Sequence, residues 1–264
     1  MNPAEETRYR RNFLRWFDRQ EVRNARVVTS WLTSVEHRVT DALERLGVAR
    51  TLSNVGAFIP PAPVRVLIGK LYQNTVIDAA RRELSRLRIL TGSPAHMDSS
   101  LEAGFFSPRW QVSINTMLSD KVTASRITGI TQATRDQVRA VLVDANARNL
   151  SVRETAANLT PVLSGNKKRA LLIARTETTR AASAGAEAAA MSSLLVLQKK
   201  WVATVDSRTR PSHLAMLSAK PVARDGTFLV DGLHMKYPGD PAGGAANVCN
   251  CRCSVVYVPA KIQD

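Results

Sequence analysis

Up to about residue 197 the apolar side chains of this chain return every three or four positions. From Lys199 onward they come instead in short runs rich in β-branched residues and bounded by turn formers. That change of period limits what the chain can become. A helix buries a stripe of side chains repeating about every 3.6 residues, whereas a strand needs only a short run whose alternate side chains share a face. The expected fold class is therefore α+β: a mainly α-helical N-terminal two-thirds to three-quarters, followed by a small β-rich C-terminal module.

Individual elements follow from the same signals. Phe13, Trp16, Phe17, Trp31, Val35, Val39, Ala42, Leu43 and Leu46 define a helix over Glu5–Leu46 with Gly47 as its stop, and this aromatic stripe reads as core packing rather than a docking face. Pro60, Pro61 and Pro63 mark residues 53–63 as a linker. A second run, Val64–Leu90, carries Arg81, Arg82, Arg86 and Arg88 near one face, read as a solvated face in preference to a DNA contact, and Gly92 to Pro94 ends it. Three helices are expected between Ser107 and Leu159. Thr134 with Gln137, and Ser151 with Glu154, have capping-box spacing, and Asn149 makes a turn. An alanine-rich helix runs from about Asn166 to Leu197, with Glu177 and Arg180 as a polar pair one turn apart. Trp201–Val205, Phe228–Val230 and Ser254–Val258 look like strands, separated by turns at Asp225-Gly226, Asp231-Gly232 and Pro238-Gly239-Asp240-Pro241. The chain thus divides at about residues 100 and 198, giving stretches 1–100, 101–198 and 199–264.

Net charge is +15, with 37 Lys and Arg against 22 Asp and Glu. Basic and acidic residues number 19 and 12 in residues 1–130, 11 and 5 in residues 131–200, and 7 and 5 in residues 201–264, so the basic excess precedes the β-rich module. A surface of this kind suits nucleic acid or an acidic protein partner without choosing between them. Residues 1–11 are charged and lack the apolar core of a secretory signal, and no segment offers eighteen uncharged apolar residues in a row, so a soluble protein made in the cytoplasm is expected.

All three cysteines, Cys249, Cys251 and Cys253, fall within five residues. A disulfide framework would spread them to staple distant loops, so they read as one local site. On a regular strand the three would share a face. Cys251 and Cys253 could supply two ligands of a zinc tetrahedron with His213 and His234 as the others and Cys249 as an alternative ligand. No cofactor is certain. Three states stay open: bound zinc, buried thiols beside a hydrogen-bonded histidine, and a disulfide formed after exposure to an oxidising medium. Asp206, Arg208 and Arg210 read as a turn pinned by an Asp side chain and an Arg–carboxylate pair, with Asp240 as a candidate partner, rather than as a catalytic acid or phosphate clamp. No nucleophile and base stand together, so no catalytic residue is assigned.

Trp201, then Asp206-Ser207-Arg208-Thr209-Arg210-Pro211-Ser212-His213, then Phe228, then Tyr237-Pro238-Gly239-Asp240-Pro241, then Asn250-Cys251-Arg252-Cys253, in this order, resemble the phage Mu F-like head-morphogenesis family. Ile173 to Thr178 looks similar to it as well, so the resemblance covers roughly the C-terminal half. It marks Trp201, Asp206, Arg208, Arg210, His213, Tyr237, Pro238, Asp240, Asn250, Cys251, Arg252 and Cys253 as the structural motif. Other branches carry a Cys-x-x-Cys pair where this sequence has Arg210 and His213, which makes His213 ligand-like, while Arg210 cannot bind a metal. Cys249 stands where the family has an aliphatic residue.

The resemblance implies a minor head (capsid) protein of a tailed bacteriophage, not an enzyme, acting in head assembly and in DNA ejection. It implies a place in the procapsid and virion, in the head interior or portal region, and a chain made in the host bacterial cytoplasm. The implied partners are the portal protein, the major capsid or scaffolding protein and packaged double-stranded DNA, with no membrane. The resemblance does not cover stretch 1–100, a helical region that is a candidate for docking to portal or capsid, while 101–198 would be the helical part of the head-morphogenesis domain and 199–264 the Mu F-like module. Some members carry toxin or ADP-ribosyltransferase domains after the shared module. Eleven residues follow Cys253, and none is expected here. The competing readings are a zinc-dependent hydrolase or nuclease using the His/Cys cluster, with Asp206 as base, and a basic DNA-binding protein.

Overall fold

The structure of the protein is a computed structural model that describes residues 1–91, 121–193 and 195–260. Its helices are α1 (Pro3–Ser53), α2 (Val55–Phe58), α3 (Pro61–Thr91), α4 (Lys121–Ala147), α5 (Val152–Leu159), α6 (Lys167–Ser192), α7 (Pro211–Ala215) and α8 (Gly244–Val248). Its strands are β1 (Leu197–Val202), β2 (Val222–Ala223), β3 (Phe228–Val230), β4 (Leu233–Met235) and β5 (Ser254–Pro259). The fold is α+β, helical first and β-rich last. No helix among the described residues is long and apolar enough to cross a membrane.

Local chemistry explains most of the boundaries. Asn2 caps α1: its Oδ1 accepts from Glu5 N at 2.9 Å and its own N–H donates to Glu5 Oε2 at 2.7 Å. The helical path breaks at Gly47 (φ 74°, ψ 172°) and then resumes to Ser53. The expected linker over residues 53–63 is instead short helix α2 and the start of α3. Pro61 and Pro63 fall in the first turn of α3, where a missing N–H costs no helical hydrogen bond. The capping box at Ser151 and Glu154 is present. The one expected at Thr134 and Gln137 is not, because Thr134 lies inside α4 and its Oγ1 donates to Ile130 O at 2.7 Å. Asn149 adopts φ 51° in the turn before α5. The expected stop at Gly92 to Pro94, and residues 107–120 of the expected helices, lie outside the described residues. The alanine-rich helix ends at Ser192, short of Leu197. Ser192 and Ser193 hydroxyls turn back to Ala189 O and Ala190 O, and Leu197 is taken into the sheet opposite Pro259.

The described residues form two compact units, to which α1, α3 and α6 each contribute along their length. One gathers Arg23–Lys70 with the described part of Asn115–Ile173. Its core is aliphatic, including Leu32, Val35, Leu43, Ile59, Ile68, Val138, Leu142 and Leu159. Arg135 donates to Ile59 O and Gly56 O, and Arg38 to Phe58 O, so the carbonyls freed around α2 are satisfied by guanidinium groups. Glu36 accepts from Thr160 Oγ1 and Ser164 N. Although burial opposes its charge, these bonds hold its carboxyl below the usual range.

The other unit gathers Met1–Val22 with the described parts of Leu71–Ile114 and Ala174–Asp264. Its sheet has the order β2-β1-β5, all antiparallel, with Trp201 opposite Val255 and Lys199 opposite Tyr257. A separate hairpin joins β3 to β4 through Asp231-Gly232, both at positive φ as a tight two-residue hairpin turn requires. The opening turns of α1 belong to this unit. Tyr9, Phe13, Trp16 and Phe17 form an aromatic cluster with Ala79 and Ala182, Tyr9 Oη donates to Val255 O at 3.0 Å, and Lys200 pairs with Glu6 at 2.6 Å. Of the arginines expected on a solvated face of α3, Arg81 is exposed, whereas Arg82 and Arg86 are engaged by neighbours. Arg86 pairs with Glu83 and donates to Tyr257 O, and Arg82 sits over the Trp16 ring at 5.8 Å.

Two glycines are dictated by close approach. A Cβ on Gly185 of α6 would lie 2.3 Å from Val76 O of α3, so only glycine lets these helices meet. Gly239 combines φ +87° with a would-be Cβ 3.1 Å from Arg180 Cα and N, both backbone atoms. Gly239→Ala is expected to destabilise the fold by about 2–4 kcal/mol, from positive-φ strain plus the clash, read as a lowered denaturant midpoint at unchanged slope.

This unit also sets an alkaline limit. Burial, reinforced by neighbouring acidic groups, pushes the Tyr9 phenol up to about 12 and raises Tyr237 and Tyr257 as well. The folded state therefore holds protons that the unfolded chain releases near pH 10. The associated stability is fully present below about pH 10 and is lost as pH rises through the folded values. Denaturant unfolding at a series of pH values should show stability falling from about pH 10 upward, more gently in Tyr9→Phe after its lost hydrogen bond is accounted for.

Candidate functional site

The motif residues Asp206, Arg210 and His213 converge on the segment 249–253, which joins α8 to β5. The segment is a loop and not a strand, and this changes what its cysteines do. Cys249 is exposed, while Cys251 and Cys253 are buried, so the three do not share one face. Asn250 between them sits at φ 62°, a left-handed conformation that an asparagine tolerates better than most side chains. That turn redirects the chain so that Cys251 and Cys253 both point inward.

Helix α6 holds the loop by its polar face. Thr179 Oγ1 donates to Cys251 O, Thr176 Oγ1 accepts from Asn250 N at 3.0 Å, and Arg175 Nη1 donates to Asn250 Oδ1 at 2.6 Å. Arg175 also forms a two-pronged pair with Glu21 of α1 at 2.7 and 2.9 Å, with both side chains about nine-tenths buried. From the other side, Thr204 Oγ1 donates to Arg252 O at 2.7 Å and Arg210 Nη2 to Cys249 O at 2.6 Å. Asp206 pins its own turn by accepting from Arg208 N and Thr209 Oγ1, and it pairs with Arg252. Asp240 is engaged elsewhere. It accepts from Lys236 N at 2.6 Å and from Ala242 N at 3.0 Å, which closes the Tyr237-Pro238-Gly239 turn against α6. The Asp206 region and Asp240 thus act in separate turns.

Inside the loop stands His213, brought there by the short helix α7. Its Nδ1 lies 3.6 Å from Cys251 Sγ and 3.5 Å from Cys253 Sγ, and its ring meets Trp201 edge-on at 5.2 Å. His213, Cys251 and Cys253 are 1%, 3% and 2% exposed, so water does not screen the group. Cys253 N–H donates to Cys251 Sγ at 3.4 Å, and the two thiols interact as neighbours. The neighbouring Cys251 thiol, with His213 adding to it, holds Cys253 well below the usual thiol range, while the interaction with Cys253 and burial push Cys251 well above it. His234 is not in this group. It is exposed on β4, with its Nδ1 3.0 Å from Thr227 Oγ1. Of the five residues considered as metal ligands, the fold brings together His213, Cys251 and Cys253. Sequence reasoning did not single out Glu21, Thr179 or Thr204 as supports. Arg175 and Thr176, which do lie in the run Ile173 to Thr178, were noticed for that run's resemblance and not for their contacts.

A helical body with a small antiparallel sheet, and a Cys/His loop slung from a helix, defines the class of module this is. Residues 136–256 match the family described as Phage Mu protein F like protein. It is 39% identical over 93 residues to minor head protein GP7 of Bacillus phage SPP1, covering 34% of this chain and 30% of that one. It is 37% identical over 94 residues to NAD(+)–arginine ADP-ribosyltransferase EFV of Enterococcus faecalis (strain ATCC 700802 / V583), covering 34% of this chain and 19% of that one. The chain therefore spans less than a third of the length of either relative. No solved structure matches it.

Proposed function

We propose that this chain is a minor head protein of a tailed bacteriophage: a structural component of the procapsid and virion that associates with the portal and the packaged DNA, and serves head assembly and DNA ejection. The observation that carries this reading is the family match over residues 136–256 together with the likeness to a phage minor head protein. The basic excess before residue 200 supports contact with DNA or with an acidic portal surface. A structural role, not an enzymatic one, is supported by the state of the motif side chains. Asp206, the candidate base, is already engaged by Arg252, Thr209 and Arg208.

The test is mass spectrometry of procapsids and virions purified from an induced lysogen that carries the gene. The chain should co-purify with both, at a few copies per particle against the major capsid protein. Its absence from both particles would overturn the reading. For the finer claim, purified chain should bind the portal or double-stranded DNA at low salt and lose that binding steeply as salt rises. Absence of binding to both would remove the proposed partners while leaving the head assignment to the particle analysis.

A further inference from the structure

We propose that His213 Nδ1, Cys251 Sγ and Cys253 Sγ are the three protein ligands of a bound zinc ion. The three ligand atoms lie within 4.8 Å of one another, and all three residues are buried. Zinc bonds of about 2.3 Å to sulfur and about 2.0–2.1 Å to nitrogen, at tetrahedral angles, place sulfur and nitrogen about 3.6 Å apart. The two observed sulfur–nitrogen separations are 3.6 and 3.5 Å. Two sulfurs stand at nearly the same distance from one nitrogen, an arrangement that a shared cation accounts for directly.

The surroundings favour a site shaped in advance. The loop backbone is fixed by Thr179, Thr176, Arg175 and Thr204, so the two sulfurs are oriented by contacts that do not involve the metal. Arg210 spans from α7 to Cys249 O, which ties the histidine's helix to the cysteine loop. The ligands also line a cleft with Asp206, Arg208 and Thr209. Cys249, exposed, and His234, bonded to Thr227, are not ligands. The metal would clamp β5, α7 and the loop together, and because it binds only the folded chain it would raise stability by mass action.

The experiment uses the full chain expressed in zinc-supplemented medium and purified without chelator. Elemental analysis should find about one zinc per chain, and cobalt exchanged into the same protein should show thiolate-to-cobalt charge transfer with tetrahedral visible bands. Cys251→Ser, Cys253→Ser and His213→Gln should each lower the zinc content at least about tenfold, whereas Cys249→Ser and His234→Ala should keep it. A chelator should lower the melting temperature of the wild type. Should the ligand variants fail to fold, the wild-type zinc content and cobalt spectrum decide alone, since the charge-transfer band requires thiolate ligands. The proposal is overturned if cooperatively folded wild type carries less than about a tenth of a zinc per chain and gives no cobalt charge-transfer band. Loss of zinc on Cys249→Ser or His234→Ala, with retention on Cys251→Ser and Cys253→Ser, would overturn it equally.

Discussion

Arg175→Ala is expected to destabilise the folded protein by about 3–5 kcal/mol, because it strands a buried carboxylate without its partner. Glu21 is about nine-tenths buried and accepts both prongs of the guanidinium, at 2.7 and 2.9 Å. The third arm of the same side chain holds Asn250 Oδ1, so the substitution also frees the turn that aims the two buried cysteines. Chemical denaturation of the variant measures the effect. Arg175→Lys should recover only part of it, since an ammonium cannot make the forked contact. Replacing both partners with apolar residues of similar volume, Glu21→Leu with Arg175→Met, should cost much less than Arg175→Ala. A loss below about 1 kcal/mol for Arg175→Ala would show that the pair is solvated and does not anchor the loop.

Trp201→Ala should cost about 3–5 kcal/mol, the range for emptying a large buried aromatic site. Trp201 is fully buried and meets two rings edge-on, His213 at 5.2 Å and Phe228 at 5.6 Å, so its removal opens a cavity shared by the sheet, the hairpin and α7. Its indole Nε1 has no hydrogen-bond partner among the described residues. Trp201→Phe should therefore be mild, about 1–2 kcal/mol, with packing and no hydrogen bond at stake. Equal losses for the two variants would mean that the indole, and not the volume of the ring, stabilises the module. Thermal and denaturant unfolding of both variants separates these outcomes.

Both residues belong to motif pieces that looked alike in the sequence, yet they act differently. Trp201 is part of the apolar centre of the C-terminal module, and its burial was legible from a short apolar run after Lys199. Arg175 was not legible in this way. In sequence it is one of several basic residues on an alanine-rich helix, and its partner Glu21 lies 154 positions away. The same holds for Lys200 with Glu6 and for Tyr9 with Val255, 194 and 246 positions apart. The first turns of α1 therefore help hold the sheet, although nothing in the motif pointed to them. The cysteines show a further limit. Spacing of two residues implies a shared face only on a regular strand, and the positive φ of Asn250 removes that condition.

By itself the sequence determined that a helical part precedes a small β-rich module, the capping box at Ser151 and Glu154, the turns at Asn149 and Asp231-Gly232, and the concentration of thiols at one place. These depend on interactions within about four residues, where backbone geometry and side-chain chemistry are enough. Only the tertiary structure decided that His213 and not His234 meets Cys251 and Cys253, that Asp206 pairs with Arg252, and that Arg175 carries the loop. Those pairings join residues far apart in the chain. Which of many similar side chains meet is fixed by how the helices and the sheet pack, and local patterning carries no record of that choice.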